Sequence, residues 1–148
     1  MGAINYNTSK YITIGINPDD YKDENYELNE FIVNDLYDEI KSVLSKYNFY
    51  FFHVCIVPGY YEGFSIDIDN NFSVCYDDYN EKREAQKEIT QIKNFLIECV
   101  NCGLVACFPG WCMGYANYKE TLHLIKEAIK EMRMEAKDIP TYRNYIAG

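Results

Sequence analysis

Four cysteines, Cys99, Cys102, Cys107 and Cys112, stand at the C-x2-C-x4-C-x4-C spacing of a zinc knuckle with Cys in place of its histidine. Thiolates hold Zn²⁺ tetrahedrally, and close ligand pairs let a short chain wrap one ion. The flanking residues argue for another role. Cys99 falls on the inward stripe of a helical pattern, and Cys107 lies in the apolar run Leu104-Val105-Ala106-Cys107-Phe108. A buried thiol behaves as a small hydrophobe, so these are expected to be core cysteines, with no metal and no cofactor. Asp67-x-Asp69-x-Asn71-x-Ser73, with Asp78 at the twelfth place, echoes a calcium loop. The glycine that such a loop requires at its sixth place is replaced by Phe72, and the closing Glu by Asp. A solvated strand face running into a turn is the simpler expectation. Nucleophilic catalysis needs a base beside the nucleophile, and the two histidines, His53 and His123, flank no such motif. His53, in an apolar run, reads as a hydrogen-bonded core residue. No catalytic residue is assigned.

Carboxylates are the chemistry that remains. Residues 17–40 carry nine acids, Asp19, Asp20, Asp23, Glu24, Glu27, Glu30, Asp35, Asp38 and Glu39, against Lys22 alone. Residues 60–80 add Glu62, Asp67, Asp69, Asp77 and Asp78 with no base. Tyr21, Tyr26, Tyr60, Tyr61, Tyr76 and Tyr79 are interleaved. Carboxylates spread over a surface present a phosphate-like field to a basic groove, and Tyr supplies rigid contact area. Trp111, in a Gly/Pro loop, reads either as a binding anchor or as a lid on the core. The same charge also keeps small proteins apart in solution.

The whole chain has 148 residues and a net charge of −9, from 23 acids and 14 bases. Residues 1–80 contribute −10 and residues 81–148 contribute +1, so the deficit lies in the first half. Direct nucleic-acid binding is excluded by that balance, because phosphate contacts need clustered Lys and Arg. A hydrophobic fraction of 48 % argues for a folded core. The N-terminus lacks a basic n-region and an apolar h-region. The uncharged run 99–118 is broken by Gly103, Pro109, Gly110 and Gly114, so no membrane span is expected. Six cysteines without a leader suit a reducing compartment, and the chain is expected to be soluble and cytoplasmic.

The elements that must position these residues follow from periodicity. Lys10–Ile16 is rich in β-branched residues and stops at Asn17-Pro18-Asp19-Asp20. Val33, Leu36, Tyr37, Ile40, Val43, Leu44 and Tyr47 recur at helical spacing over residues 28–47. Phe49–Val57 is apolar on both parities, as a central strand covered on both faces would be. Phe64, Ile66 and Ile68 alternate with Ser65, Asp67 and Asp69, which predicts a strand with one polar face. A short strand over residues 72–76 is a further candidate. A second helix spans Glu81–Val100, with Ala85, Ile89, Ile92, Leu96 and Cys99 inward, and Asn101 and Gly103 close it. Leu104–Phe108 reads as a strand, and Lys119–Lys137 as a third helix with Leu122, Ile125, Ile129 and Met132 inward. The chain therefore reads as one α+β domain over 1–148, with loosely packed ends at 1–9 and 139–148. Its order matches a ferredoxin-like βαββαβ unit, a mixed or antiparallel sheet packed by helices, with an extra C-terminal helix. The first helix covers one sheet face, and the strand acids turn to the other face or the rim.

Four strings carry a resemblance: Gly59-Tyr60-Tyr61-Glu62-Gly63, Asp77-Asp78-Tyr79-x-Glu81-Lys82-Arg83, Cys107-Phe108-Pro109-Gly110-Trp111-Cys112 and Ile139-Pro140-Thr141-Tyr142. From about Tyr11 to Tyr145 the chain resembles small accessory proteins encoded by phages and mobile elements of anaerobic gut bacteria. The resemblance brings no catalytic or ligand motif and assigns no residue a role. It implies an inhibitor of host defence of the anti-CRISPR type, working in the infected cell's cytoplasm on a host CRISPR effector, foremost a Cas9-type one. Such effectors hold their duplexes in positively charged channels, which an acidic domain can enter. The expected partner contacts are Asp19, Asp20, Asp23, Glu24, Glu27, Glu30, Asp35, Asp38, Tyr60, Tyr61, Glu62, Asp67, Asp69, Asp77, Asp78 and Trp111. Two rivals stand beside it: a small thiol- or metal-dependent enzyme acting on a nucleotide or a defence component, and a phage structural or regulatory protein that binds a viral partner or itself as a homodimer.

Overall fold

In the computed structural model, which describes residues 9–58, 63–70, 79–108 and 114–138, strict alternation decides the sheet. The described elements run β1 (Ile14–Gly15), α1 (Glu30–Leu44), β2 (Phe52–Pro58), β3 (Phe64–Asn70), α2 (Tyr79–Asn101), β4 (Val105–Phe108), β5 (Gly114–Tyr115) and α3 (Tyr118–Asp138). The fold is α+β: among the described residues, three helices and a five-stranded antiparallel sheet in the order β2-β3-β1-β4-β5. Placing β1 between β3 and β4 interleaves the strands as a split βαβ unit does. The short β5, which no sequence pattern signalled, extends the sheet beyond β4, and α3 is the expected extra C-terminal helix. Only Ile14 and Gly15 of the predicted first strand pair as a ladder, although Lys10 N–H reaches the Ile68 carbonyl and Cys107 N–H reaches that of Thr13.

Residues directly opposite one another share a sheet face. Ile14 stands across from Ile66 and Ala106, and Ile66 from Ile56. Phe52, Phe64, Ile68 and Ala106 are buried on that same side. The helices lie over it: Tyr37 of α1 meets Phe64 edge-on at 5.3 Å, and the Thr121 hydroxyl of α3 accepts the Ala106 N–H at 2.9 Å. The inward residues expected on α2 are all buried, joined by Phe95, whose ring packs against Tyr47 and Phe49. Each of the large ones, Ile89, Ile92, Phe95 and Leu96, contributes about 1.5–3 kcal/mol on leaving water. On α3, Ile125, Ile129 and Met132 are buried, while Leu122 is half-buried.

Helix ends are set by local chemistry. The Asn29 side chain accepts Ile32 N–H at the start of α1, and Asn117 accepts Glu120 N–H at the start of α3. Gly103 follows α2 at φ +119°, a conformation that L side chains rarely adopt. A Cβ there would also meet the Tyr21 hydroxyl at 2.5 Å.

Two expectations are corrected here. The apolar run at 49–57 forms an edge strand and not a central one. Its first backbone donors are taken by Glu88 of α2, a side chain only 6 % exposed, which accepts N–H groups from Tyr50, Phe51 and Phe52 at 2.5, 2.8 and 2.8 Å. His53 is exposed and not in the core, because its parity turns it to the sheet face opposite the helices. The predicted strand at 72–76 and the chain ends lie outside the described residues, apart from Ser9. The Ser9 hydroxyl donates to the Ile12 carbonyl and accepts Ile68 N–H.

Candidate interaction surface

The acidic segment that precedes α1 is built by its own polar residues. A 3-10 turn over Pro18–Tyr21 is capped by Asn17, whose side chain accepts Asp19 N–H at 3.1 Å. Tyr21 ties the segment to the body of the protein, its hydroxyl donating to the Gly103 carbonyl at 3.2 Å. Burial, and then the Asp20 charge, raise its pKa and keep it a donor. A bridge between Lys22 and Leu28 closes the loop that follows. Within it the Asp23 carboxylate accepts N–H groups from Asn25 and Glu27 at 2.8 and 3.0 Å, and Asp23 N–H donates to the Glu27 carbonyl at 2.7 Å. Asp23 is therefore a loop builder.

The loop holds Tyr26 at φ 62°, with 85 % of the residue exposed. A bulky L residue in the left-handed region costs roughly 1–2 kcal/mol, and nothing apolar covers this one in return. The chain then enters α1, whose first turn exposes 86 % of Phe31 and 48 % of Ile32. Asp35 and Asp38 follow Phe31 by four and seven residues and so share its side of the helix. Asp19, Asp20, Glu24, Glu27, Glu30, Asp35 and Asp38 are all exposed. Glu39 is exposed as well, and accepts the Cys102 thiol at 3.1 Å.

Of the second acidic run, Asp67 and Asp69 are described, and they lie apart from α1. Asp67 and Asp69 lie on the sheet face away from the helices, opposite Cys55 and His53. Asp67 is only 8 % exposed, and Asp69 accepts Lys10 N–H at 3.0 Å. Of these two expected partner contacts, Asp67 is buried, and Asp69 is half-buried with one oxygen on the backbone. Tyr60, Tyr61, Glu62, Asp77, Asp78 and Trp111 lie outside the described residues, as do Asn71 and Ser73 of the calcium-loop echo.

Cys99 is buried in the core, and burial drives its pKa far up. Cys102 is pushed up to about 11 by burial and by the hydrogen bond to Glu39, and Cys107 to about 12 by burial. Cys55 is also raised, by burial and then by Asp67 and Asp69. Nucleophilic thiols need the opposite shift. Among the described residues no three His, Cys, Asp or Glu side chains gather as metal ligands, and Cys112 lies outside them. No helix among the described residues is long and apolar enough to cross a membrane.

Compared with known protein families, with curated proteins and with solved structures, the chain matches none of them. Its site therefore rests on its own geometry. Phe31 and Ile32 went unnoticed in the sequence because they precede the helical stripe that begins at Val33. The available signal was the spacing from Phe31 to Asp35 and Asp38, which puts an aromatic ring on the charged face. Tyr26 was visible only as one tyrosine among several.

Proposed function

We propose that the chain acts by stoichiometric binding, presenting residues 19–39 to a basic partner whose Lys- and Arg-lined nucleic-acid channel these carboxylates enter in place of phosphates. A Cas9-type effector of host defence is the partner that the resemblance to phage accessory proteins implies. The observation that carries the proposal is Tyr26, a ring 85 % exposed on a backbone at φ 62°. Strain of this kind gathers where a fold presents a side chain for use. Tyr and Phe rings among carboxylates suit a basic surface in two ways. The rings stack on guanidinium planes, while the acids steer the encounter and exclude wrong partners. Solubility alone asks for the charge and not for the exposed Phe31.

The test is a titration of target cleavage by a purified Cas9-type effector–guide complex. Inhibition should reach its end point at one chain per effector. It should weaken by about 30-fold or more for Tyr26→Ala or Phe31→Ala, the loss typical of a hot-spot side chain. Absence of inhibition in excess would reject the effector as partner. Inhibition by far less than one equivalent would instead show turnover.

A further inference from the structure

We infer that β2 pairs with β2 of a second copy of this chain, antiparallel about a two-fold axis at Cys55, to make one continuous sheet. The strand ends the sheet, and among the described residues no strand pairs with its outer side. The ladder fixes which of its backbone groups face outward. Lys10 N–H donates to the Ile68 carbonyl and Ile16 N–H to the Phe64 carbonyl, so even residues of β3 turn toward β1. Odd residues of β3 then bond to β2 through Val57, Cys55 and His53. This leaves Phe52, Val54, Ile56 and Pro58 facing out. The Phe52 N–H confirms the parity, since it is taken by the Glu88 carboxylate and not by β3.

The outward pattern complements itself. With the axis at Cys55, Val54 faces Ile56 of the second copy, and these two residues exchange both N–H···O=C bonds. Phe52, whose N–H is engaged, faces Pro58, which has none. The two missing donors therefore fall on the same pair, and the overlap covers the whole strand. Val54 and Ile56, half-buried on the helix side, gain apolar neighbours. At this edge charge does not oppose a second copy. Two chains of −9 repel, yet Phe52–Pro58 contains no Asp, Glu, Lys or Arg, so this strip joins without opposing carboxylates. Edge strands are usually blunted by Lys, by inward charges or by bulges, and between Phe52 and Val57 this one carries none of them.

Sedimentation of the full chain across a concentration series tests the pairing, together with a short bis-maleimide cross-linker and peptide mapping. The expected result is a dimer of twice 17.4 kDa, tightened by salt because the copies repel, and cross-linked through Cys55 to Cys55. Cys55→Ala should abolish that cross-link and keep the dimer mass, whereas Val54→Pro should give monomer. Should Val54→Pro fail to fold, the mapped cross-link in the wild type still decides. A monomer at every concentration and salt, or a dimer without the Cys55 pair, overturns the inference.

Discussion

Segment 19–39 and strand β3 both carry closely spaced carboxylates, and the fold uses them in opposite ways. On β3, alternation drives Asp67 and Asp69 onto a sheet face where backbone and side chains crowd them, and Asp69 bonds Lys10 N–H. In segment 19–39 one acid, Asp23, is drawn inward to build the loop, Glu39 accepts the Cys102 thiol, and the rest are exposed to water. Glu88 is the inward extreme, buried with three backbone donors. A carboxylate near unpaired N–H groups becomes structure. One on the outer side of a helix remains available to a partner.

The largest effect should come from Glu88. Its two oxygens serve three N–H groups, so Glu88→Gln turns an amide donor toward at least one of them. Leaving a buried donor unpaired costs about 1–3 kcal/mol, read as a lower denaturation midpoint at pH 7. Burial, opposed by those three bonds, raises the Glu88 pKa above the usual carboxyl range. The folded state thus holds the proton more tightly than the unfolded chain. The group's contribution is fully present below the usual carboxyl range and is lost as pH rises through its raised value. The stability gap between wild type and Glu88→Gln should therefore widen as pH falls from neutral. A gap that is constant with pH would contradict this.

Tyr26 comes next, with the opposite sign. Glycine accepts the left-handed backbone without strain, so Tyr26→Gly should leave stability unchanged or raise it by up to about 1 kcal/mol. The same change should weaken partner binding. Lost stability would mean that the ring is packed structure, like the acids of β3, and is not held out for a partner. The smallest effect belongs to β3. Asp69→Asn keeps an acceptor for Lys10 N–H on the sheet face away from α1, and should shift partner affinity by less than about 0.5 kcal/mol, the range of substitutions outside a contact. A larger shift would bring β3 into the binding surface.

What the sequence made legible follows from periodicity. The stripe Val33, Leu36, Ile40 and the stripe Ala85, Ile89, Ile92, Leu96 name α1 and α2 and their inward faces, because each repeats over several turns. Two-residue β5 has no period to read. The position of β2 was misread because an apolar run looks alike whether another strand or a glutamate from α2 receives its backbone. Within the candidate site the acids were legible by count. Their sorting into loop builder, buried group and exposed charge was not, since it depends on which backbone donors tertiary structure brings within reach.

We propose that the exposed carboxylates of residues 19–39 meet a basic surface. The most direct measurement of this is the association rate with a Cas9-type effector–guide complex as salt rises from 0.1 to 1 M, where the Debye length falls from about 10 to 3 Å. The wild-type rate should fall at least about tenfold, as steered encounters do. A variant with Asp19, Asp20, Glu24 and Glu27 all changed to Lys should bind far more slowly at low salt while staying folded. Equal rates for the two proteins, unmoved by salt, would mean that these carboxylates meet no basic surface.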